Sequence, residues 1–280
     1  MLQLDHTQVL SLLPDRKLDS HKGDFGRILL LCGSEGYTGA AALSAMGALR
    51  SGAGLVYLGV PRCIYAIEAV KLTEPIVFPL PDEGGTVSVH ALKQVLSLLP
   101  KMDAVLIGPG LGCSQGVTEL VNGVLQEFKG PVVLDADGIN AIAPHKDILR
   151  GREGVTVLTP HAGEFHRLGG DITGDRLKDA TCFAAEFGCI LLLKGHDTLI
   201  TDGKTTYVNP TGNPGMAVGG SGDVLSGMLV SLLGQGMEPL LASACAAYLH
   251  GAAGDACARD LGQYGMLPTD MLQILPRLMK

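Results

Sequence analysis

The chain has 280 residues, 46% of them hydrophobic, and a formal net charge of −7. Its Lys and Arg residues are scattered, which argues against a nucleic acid partner, and no segment offers the roughly 20 uninterrupted apolar residues that a membrane helix needs. The N-terminus lacks the basic and apolar regions of a signal peptide, and the seven cysteines show no CxxC spacing. These features predict a cytoplasmic protein that acts on small molecules. Because no linker divides the chain, we expect one domain over residues 1–280.

Short apolar runs alternate along the chain with segments of helical spacing. In chain order, the predicted elements are a strand at 27–32, a helix at 38–50, strands at 55–60 and 104–107, a helix at 117–128, strands at 131–137 and 155–161, a helix at 175–187, a strand at 189–194, a hairpin at 198–208 and two final helices. Continuous apolar strands that alternate with helices indicate an α/β fold. We therefore expect a mostly parallel central sheet with helices on both faces.

Polar or glycine residues follow several of the predicted strands where each strand ends. They are Ser34, Gly112, Asp137, His161 and Lys194. Because open α/β sheets bind ligands at the carboxyl ends of their strands, we expect these residues to lie around one site.

A long loop rich in glycine and proline precedes the first of the two final helices. It begins at Asn209 and ends in Gly219-Gly220-Ser221-Gly222-Asp223. Glycine amides and a helix N-terminus together favour phosphate binding. A carboxylate there would repel an anion unless it handles a proton or a metal, so we interpret Asp223 as a catalytic base. The alternative is that Asp223 only caps the helix.

Three other side chains have two readings each. Lys194 could meet a nucleotide phosphate or be an ordinary lysine at a strand end. The spacing of His161 and Glu164 permits a tight turn with both side chains facing one pocket. His161 could instead be a hydrogen-bonded structural residue, and Glu164 could cap the turn.

A set of short motifs resembles the NAD(P)H-hydrate dehydratases of the ribokinase-like superfamily, nearly from end to end. The motifs are Ser20-His21-Lys22-Gly23, Gly33-Ser34 with Thr38-Gly39-Ala40-Ala41, Gly108-Pro109-Gly110-Leu111-Gly112, Leu134-Asp135-Ala136-Asp137, Thr159-Pro160-His161-Ala162-Gly163-Glu164-Phe165, Lys194-Gly195 and Gly219 to Asp223. The last motif is shared widely among ribokinase-like kinases, whereas Thr-Pro-His-x-Gly-Glu-Phe with Gly-Pro-Gly-Leu-Gly is more specific. One departure is Pro214, which stands where relatives often carry a more flexible residue.

The resemblance implies a reaction, its co-substrate and an assembly. The hydrated form of NADH or NADPH would be phosphorylated by ADP on its C6 hydroxyl and would then lose phosphate, giving NAD(P)H, AMP and phosphate. Mg²⁺ would bridge the donor phosphates, although the sequence shows no dedicated metal cage. A homotetramer is expected, without the second, epimerase domain that some relatives carry. The residues alone leave open the choice between ADP and ATP, and that between the NADH and NADPH hydrates.

The resemblance also implies roles for individual residues. The nucleotide would be held by Lys194, Gly195, His196, Asp197, Thr198, Asn213, Gly219, Gly220, Ser221 and Gly222. The hydrated dinucleotide would be held by Ala40, Gly112, His161, Glu164 and Asp223, with Asp223 as the catalytic residue.

Two other functions share the phosphate cradle. A ribokinase-like kinase of a small alcohol, such as a vitamin precursor, would use the same cradle and base but release a stable phosphoester. A non-catalytic adenylate-binding module would use the cradle while Asp223 only caps its helix.

Overall fold

The computed structural model describes residues 1–171 and 174–280 and shows alternating strands and helices. The strands are β1 (Arg27–Leu31), β2 (Leu55–Pro61), β3 (Ile76–Leu80), β4 (Asp82–Glu83), β5 (Thr86–Val87), β6 (Ala104–Ile107), β7 (Val132–Leu134), β8 (Thr156–Leu158), β9 (Ile190–Leu193), β10 (Leu199–Thr201) and β11 (Thr206–Val208). The helices are α1 (His6–Leu12), α2 (Thr38–Arg50), α3 (Arg62–Lys71), α4 (Ala91–Leu98), α5 (Gln115–Glu127), α6 (Asp137–Ile142), α7 (Ala162–Arg167), α8 (Arg176–Phe187), α9 (Ser221–Gly234), α10 (Pro239–Leu261) and α11 (Pro268–Leu278). Short 3-10 helices lie at Lys22–Phe25, Leu99–Lys101, Ala143–Leu149 and Pro214–Met216.

The strands of the described residues form a nine-stranded sheet and a small separate hairpin. The sheet order is β11-β10-β9-β8-β7-β6-β1-β2-β3, and β4 pairs with β5. The seven neighbouring strands β9, β8, β7, β6, β1, β2 and β3 are all parallel, whereas β10 and β11 are antiparallel additions at one edge. This arrangement confirms the predicted mostly parallel sheet and the predicted hairpin. The edge strand β3, the β4-β5 hairpin and the helices α1, α3, α4, α6 and α7 were not among the predicted elements. Three final helices are present in the described residues where two were predicted, and β7 and β8 end three residues before the predicted strands do, because the polar residues after them turn out of the sheet.

Helices cover both faces of the sheet, and alternate residues of each strand face opposite layers. In β1, Ile28 and Leu30 pack in a core with residues of α2, α9 and α10. Leu29 and Leu31 pack in a second core with residues of α4, α5 and α8. Because side chains alternate along a strand, a strand that is buried on both faces must be apolar throughout.

Glycines bring α2 and α9 together, and this contact places the N-terminus of α9. A methyl group on Gly47 would lie 2.6 Å from the Val224 carbonyl oxygen, and one on Gly227 would lie 2.1 Å from that of Ser44. Both distances are too short for a side chain, so the two helices touch backbone to backbone. This contact fixes the start of α9 against α2.

Within residues 1–171 and 174–280, no helix is both long and apolar enough to cross a lipid bilayer.

Candidate active site

A lysine and two carboxylates from three neighbouring strand ends form the centre of the site. Lys194 follows β9, and its Nζ lies 2.8 Å from Oδ1 of Asp135, which follows β7. The same Nζ lies 3.9 Å from Oε2 of Glu164, which is on α7 after β8. Asp135 is only 2% exposed and Lys194 is 21% exposed. Burial alone would lower the pKa of Lys194, but Asp135, Glu164 and, more weakly, Asp223 outweigh it and raise that pKa above its usual value.

The first turn of α9 lies directly against this ion pair. A methyl group on Gly222 would lie 3.4 Å from Nζ of Lys194 and 3.8 Å from Oδ2 of Asp135. The amides of this turn and the Lys194 ammonium group therefore face the same space. A phosphate placed there would meet positive charge from the lysine and from the helix terminus.

Asp223 lies in this first turn, and its environment disfavours the charged form. Burial raises its pKa, the negative charge of Asp135 raises it further, and Lys194 partly offsets both, so the pKa rises from 3.8 to about 6. The N-cap of α9 is Gly220, which makes the alternative of Asp223 as an N-cap wrong. A carboxylate with a pKa near neutrality is suited to accept a proton from a substrate hydroxyl.

Only one of the three glycines of the cradle depends on an unusual backbone conformation. Gly220 has a φ of 97°, and a methyl group there would lie 2.4 Å from Cδ1 of Leu43. Gly219 and Gly222 do not have positive φ values. Gly222 thus contributes space for the approach of a ligand, and Gly219 is open around its Cα.

The buried histidine His250 supports the cradle from behind. Its Nε2 lies 2.9 Å from the carbonyl oxygen of Ser221 and 3.3 Å from its Oγ. Burial lowers the pKa of His250 to about 4; the bond to Ser221 opposes this shift, and the charge of Lys194 adds to it. The imidazole is therefore neutral at physiological pH and holds the first residue of α9 by a hydrogen bond.

His161 and Glu164 form a reciprocal capping box at the start of α7. Nδ1 of His161 accepts hydrogen bonds from the amides of Gly163 (3.0 Å) and Glu164 (3.3 Å), and Oε2 of Glu164 accepts one from the His161 amide (2.8 Å). Because Nδ1 is an acceptor, the proton of the neutral ring lies on Nε2. The predicted capping by Glu164 is confirmed. The other ring nitrogen of the exposed His161 also faces this carboxylate, because its Nε2 lies 3.4 Å from Oε1 of Glu164.

A hydrogen-bonded chain connects the glycine-rich turn after β6 to α6 and α7. Asp137 Oδ2 accepts from the Gly112 amide at 2.8 Å, and Asp137 Oδ1 accepts from Asn140 at 3.2 Å. Asn140 Oδ1 accepts from Nε of Arg167 at 2.8 Å. The strand-end residues Gly112 and Asp137 therefore lie together as expected, and their role within the protein is to hold this turn in place.

Ala40 lies next to the same turn, in the first turn of α2. A methyl group on Gly110 would lie 2.9 Å from Cβ of Ala40, so the small side chain permits a close approach. Ser34 Oγ donates to the carbonyl oxygen of Gly110 at 2.7 Å. The predicted strand-end residues Ser34, Gly112 and Asp137 are thus neighbours.

Asn213 is occupied by contacts within the protein. Its Oδ1 accepts from the Gly215 amide and its Nδ2 donates to Oδ1 of Asp255, both at 3.0 Å. Asp255 Oδ2 also accepts from the Gly212 amide at 2.9 Å. The side chain of Asn213 therefore shapes the loop before α9. A contact of this side chain with a nucleotide would use the second hydrogen of Nδ2 or the second lone pair of Oδ1.

The other predicted nucleotide residues form a tight turn after β9. Gly195 has a φ of 150° and Asp197 a φ of 53°. Thr198 Oγ1 donates to the Gly195 carbonyl oxygen at 2.9 Å, and Nδ1 of the exposed His196 lies 3.0 Å from Oδ2 of Asp197. Among the described residues, no ion pair or hydrogen bond joins His196, Thr198, Asn213 or Ala40 to Asp135.

Sequence reasoning missed two carboxylates and a histidine that organise the site: Asp135, Asp255 and His250. The signal for Asp135 was present, because Leu134-Asp135-Ala136-Asp137 places two carboxylates after a strand. Ala136 has a φ of 48°, which is uncommon for a residue other than glycine and turns the chain sharply between the two aspartates. Asp255 and His250 lie inside a long helix and carry no local signal.

Among the described residues, no cluster of three or more His, Cys, Asp or Glu side chains could hold a metal ion by itself. Asp135 and Asp223 are close enough for the charge of one to raise the pKa of the other. Two carboxylates beside a phosphate cradle fit Mg²⁺, which prefers oxygen ligands and usually binds through substrate phosphates and one or two carboxylates.

A family of proteins described as NAD(P)H-hydrate dehydratase matches residues 28–277. The bifunctional NAD(P)H-hydrate repair enzyme Nnr of Moorella thermoacetica is 47% identical over 277 residues, which are 96% of this chain and 52% of that protein. The chain therefore spans about half the length of this relative and of several others. The ADP-dependent (S)-NAD(P)H-hydrate dehydratase of Nitrosopumilus maritimus is 38% identical over 279 residues, which cover 97% of this chain and 94% of that protein.

The structure is similar to a crystal structure of the ADP/ATP-dependent NAD(P)H-hydrate dehydratase from Bacillus subtilis, co-crystallised with ATP and Mg²⁺. The TM-score is 0.84 at 32% sequence identity, over 98% of this chain and 96% of the other. The predicted ribokinase-like α/β fold is confirmed by this and by more distant structural matches.

Proposed function

Because this chain belongs to the NAD(P)H-hydrate dehydratase family, we propose that it repairs hydrated NADH and NADPH with ADP as phosphoryl donor. The observation that carries the proposal is Asp223, a carboxylate with a pKa of about 6 in the first turn of α9, beside the Lys194–Asp135 pair. A phosphate cradle with a proton acceptor at its rim is what phosphoryl transfer to an alcohol requires.

The reaction has two halves. In the first, Asp223 accepts the proton of the C6 hydroxyl while the hydroxyl oxygen attacks the β-phosphorus of ADP, and AMP leaves. In the second, the lone pair of the ring nitrogen N1 expels phosphate from C6 and forms an N1–C6 iminium. Loss of a proton from C5 then gives the C5–C6 double bond of the dihydropyridine and returns the electron pair to N1. Hydroxide is a poor leaving group and phosphate a good one, so the first half makes the second possible.

The side chains around Asp223 divide the remaining work. Lys194 and the amides of Gly219, Gly220 and Gly222 would bind the transferring phosphoryl group, because positive charge stabilises it most strongly in a partly buried site. The Ser221 amide already donates to the Val218 carbonyl oxygen. Bound Mg²⁺ would be held by Asp135 and the nucleotide phosphates and would supply further charge neutralisation, which leaves Asp223 to accept the proton. The Nε2–H of His161 would be shared between Oε1 of Glu164, which lies 3.4 Å away, and an acceptor of the hydrated dinucleotide. Ala40 and Gly112 leave room for the close approach of that ligand.

The stoichiometry of the products tests this proposal. With ADP, Mg²⁺ and hydrated NADH or NADPH, we expect AMP, inorganic phosphate and restored reduced-nicotinamide absorbance in equal amounts. A parallel reaction with ATP measures donor preference. A kinase of a small alcohol would instead accumulate a stable phosphoester without an absorbance change. If the hydrate stays inert with both donors while an alcohol is phosphorylated, the proposal is wrong.

We also propose a single-domain organisation over residues 1–280, a cytoplasmic location and a homotetramer. The family resemblance supports the tetramer, and exposed apolar side chains such as those of Val70 and Tyr264 offer surface for subunit contacts. Light scattering after size-exclusion chromatography should give four times the chain mass; a mass equal to one chain would contradict the tetramer.

The cysteines bear on the location: free thiols at all seven are in keeping with a reducing compartment.

A further inference from the structure

Arg176, the first residue of α8, binds four backbone carbonyl groups of the turn that follows β9. Its Nη2 donates to the carbonyl oxygens of Leu193 at 2.9 Å and Lys194 at 3.3 Å. Its Nη1 donates to those of His196 at 2.9 Å and Asp197 at 3.3 Å. One planar guanidinium group thus collects the carbonyls on both sides of Gly195.

This convergence determines where the amides of the turn point. In a trans peptide, the N–H of each residue points opposite to the carbonyl of the residue before it. The Lys194 amide shows this directly, because it donates at 2.8 Å to the Pro160 carbonyl oxygen in the neighbouring chain segment, away from Arg176. By the same rule, the amides of Gly195, Asp197 and Thr198 point away from the guanidinium. Within residues 1–171 and 174–280, none of these three amides donates a hydrogen bond to a protein acceptor.

Two backbone conformations in the turn are needed for this arrangement. Gly195 has a φ of 150° and Asp197 a φ of 53°, both in the region that residues with side chains rarely adopt. A methyl group on Gly195 would lie 3.1 Å from Nη2 of Arg176, so the guanidinium lies tightly against the backbone. A strained turn persists only when its surroundings hold it, and Arg176 provides four of the bonds that do so.

We propose that Arg176 is a positioning residue for the adenine nucleotide: it collects the carbonyls of the Leu193–Asp197 turn and so presents the amides of Gly195, Asp197 and Thr198 to the nucleotide. The inference rests on the proposed function, in which this turn binds ADP. Arg176 itself stays behind the turn and does not need to touch the ligand. Lysine cannot replace it, since a single ammonium group lacks the planar fork that reaches four acceptors.

The test is Arg176→Lys with Arg150→Lys as a matched control. Arg150 also donates to a backbone carbonyl and to carboxylates, but it lies outside α8 and contacts the C-terminal end of that helix at Glu186. We expect Arg176→Lys to weaken ADP binding about tenfold or more by calorimetry and to raise the KM for ADP, with kcat and the KM for the hydrate changed less than threefold. Arg150→Lys should leave all these values unchanged.

Hydrogen exchange of the ligand-free protein provides a readout that does not depend on activity. A peptide covering residues 193–199 should exchange faster in Arg176→Lys than in the wild type, while peptides from the sheet should exchange alike. ADP should protect this peptide in the wild type and protect it less in the variant. If the folded Arg176→Lys variant binds ADP within twofold of the wild type, the inference is wrong.

The two proposals fail in different ways. A wild-type protein that binds ADP but does not restore hydrated NADH or NADPH would contradict the proposed function, and the Arg176 comparison would still decide the inference by affinity and exchange. A wild-type protein that turns over the hydrate, with an Arg176→Lys variant that keeps its ADP affinity, would contradict only the inference.

Discussion

Replacing Asp223 by asparagine should stabilise the protein while it abolishes most of the activity. In the folded protein the pKa of Asp223 is about 6, raised from 3.8 by burial and by the charge of Asp135. Two pKa units correspond to about 3 kcal/mol, and the partial solvent access of this side chain reduces the expected gain to roughly 2 kcal/mol. Asparagine keeps the shape of the side chain and carries no charge to bury.

The sign of the pH dependence follows from the raised pKa. Because the folded protein binds this proton more tightly than the unfolded chain, the charged carboxylate destabilises the fold fully above about pH 6. The cost falls as the pH drops from 6 towards 3.8 and is absent below that value. The Asp223→Asn variant should therefore gain its full stability advantage at pH 8 and lose it near pH 4.

Urea unfolding at pH 8 and at pH 4.5 measures this difference, together with a steady-state assay for the restored absorbance. We expect a higher free energy of unfolding for Asp223→Asn at pH 8, a smaller gap at pH 4.5, and a loss of turnover of about 10²- to 10⁴-fold. The control is Asp260→Asn, a change at an exposed carboxylate of α10. Equal stability of Asp223→Asn and the wild type at pH 8 would refute the electrostatic argument, and near-normal turnover would refute the role as base.

Three further substitutions test the surroundings of Asp223. Gly222→Val should weaken ADP binding at least tenfold by calorimetry, whereas Gly222→Ala should change it only slightly. A methyl group at this position meets Nζ of Lys194 at an ordinary 3.4 Å, but the larger valine side chain does not fit. Equal ADP affinities of Gly222→Val and the wild type would place the phosphate cradle elsewhere. Lys194→Met should cost about 3 kcal/mol of unfolding free energy, since it leaves buried carboxylates unpaired. Because Lys194 lowers the pKa of Asp223, the variant should also move the acid limb of the kcat/KM profile above pH 6. Lys129→Met, at an exposed ion pair, serves as control, and an unmoved acid limb would contradict the coupling. His250→Gln should remove an acid-dependent loss of stability, because the pKa of His250 is about 4 in the folded protein and 6.5 in the unfolded chain. Through this group the wild type loses up to about 3 kcal/mol of unfolding free energy as the pH falls from 6.5 to 4, and none above pH 7. Identical pH slopes of the unfolding free energy in both proteins would contradict this prediction.

Much of the fold was predictable because its signals are local. The buried parallel strands are continuous apolar runs, and glycines mark the turns that end several of them. The edge strand β3 was not predicted, because it contains Pro79 and is only partly buried, which makes its pattern less regular than that of a central strand. The helices α3 and α4 lie between the predicted strands at 55–60 and 104–107, where no further strand was predicted to mark their bounds.

Most of the residues of the candidate site were predictable as well, although the contacts that they make within the protein were not. Lys194, Glu164, Gly222 and Asp223 do lie together. His161 caps its own helix through Nδ1, and Asn213 uses its side chain within its loop, so their sequence motifs are explained in part by local structure. Whether any of the predicted residues binds a nucleotide or a hydrated dinucleotide stays a prediction.

The sequence by itself determined the order of strands and helices and the motifs at the strand ends, because hydrophobic period and turn glycines act over a few residues. Only the tertiary structure decided which charges meet. Lys194 pairs with Asp135, 59 residues earlier in the chain, and the pair then lies against a helix terminus that arrives from a third segment. The pKa of Asp223 depends on this meeting and on burial, and neither quantity is a property of the neighbouring sequence. The contacts of Arg176 also depend on the tertiary structure, because its four carbonyl acceptors lie on a turn 17 to 21 residues later in the chain.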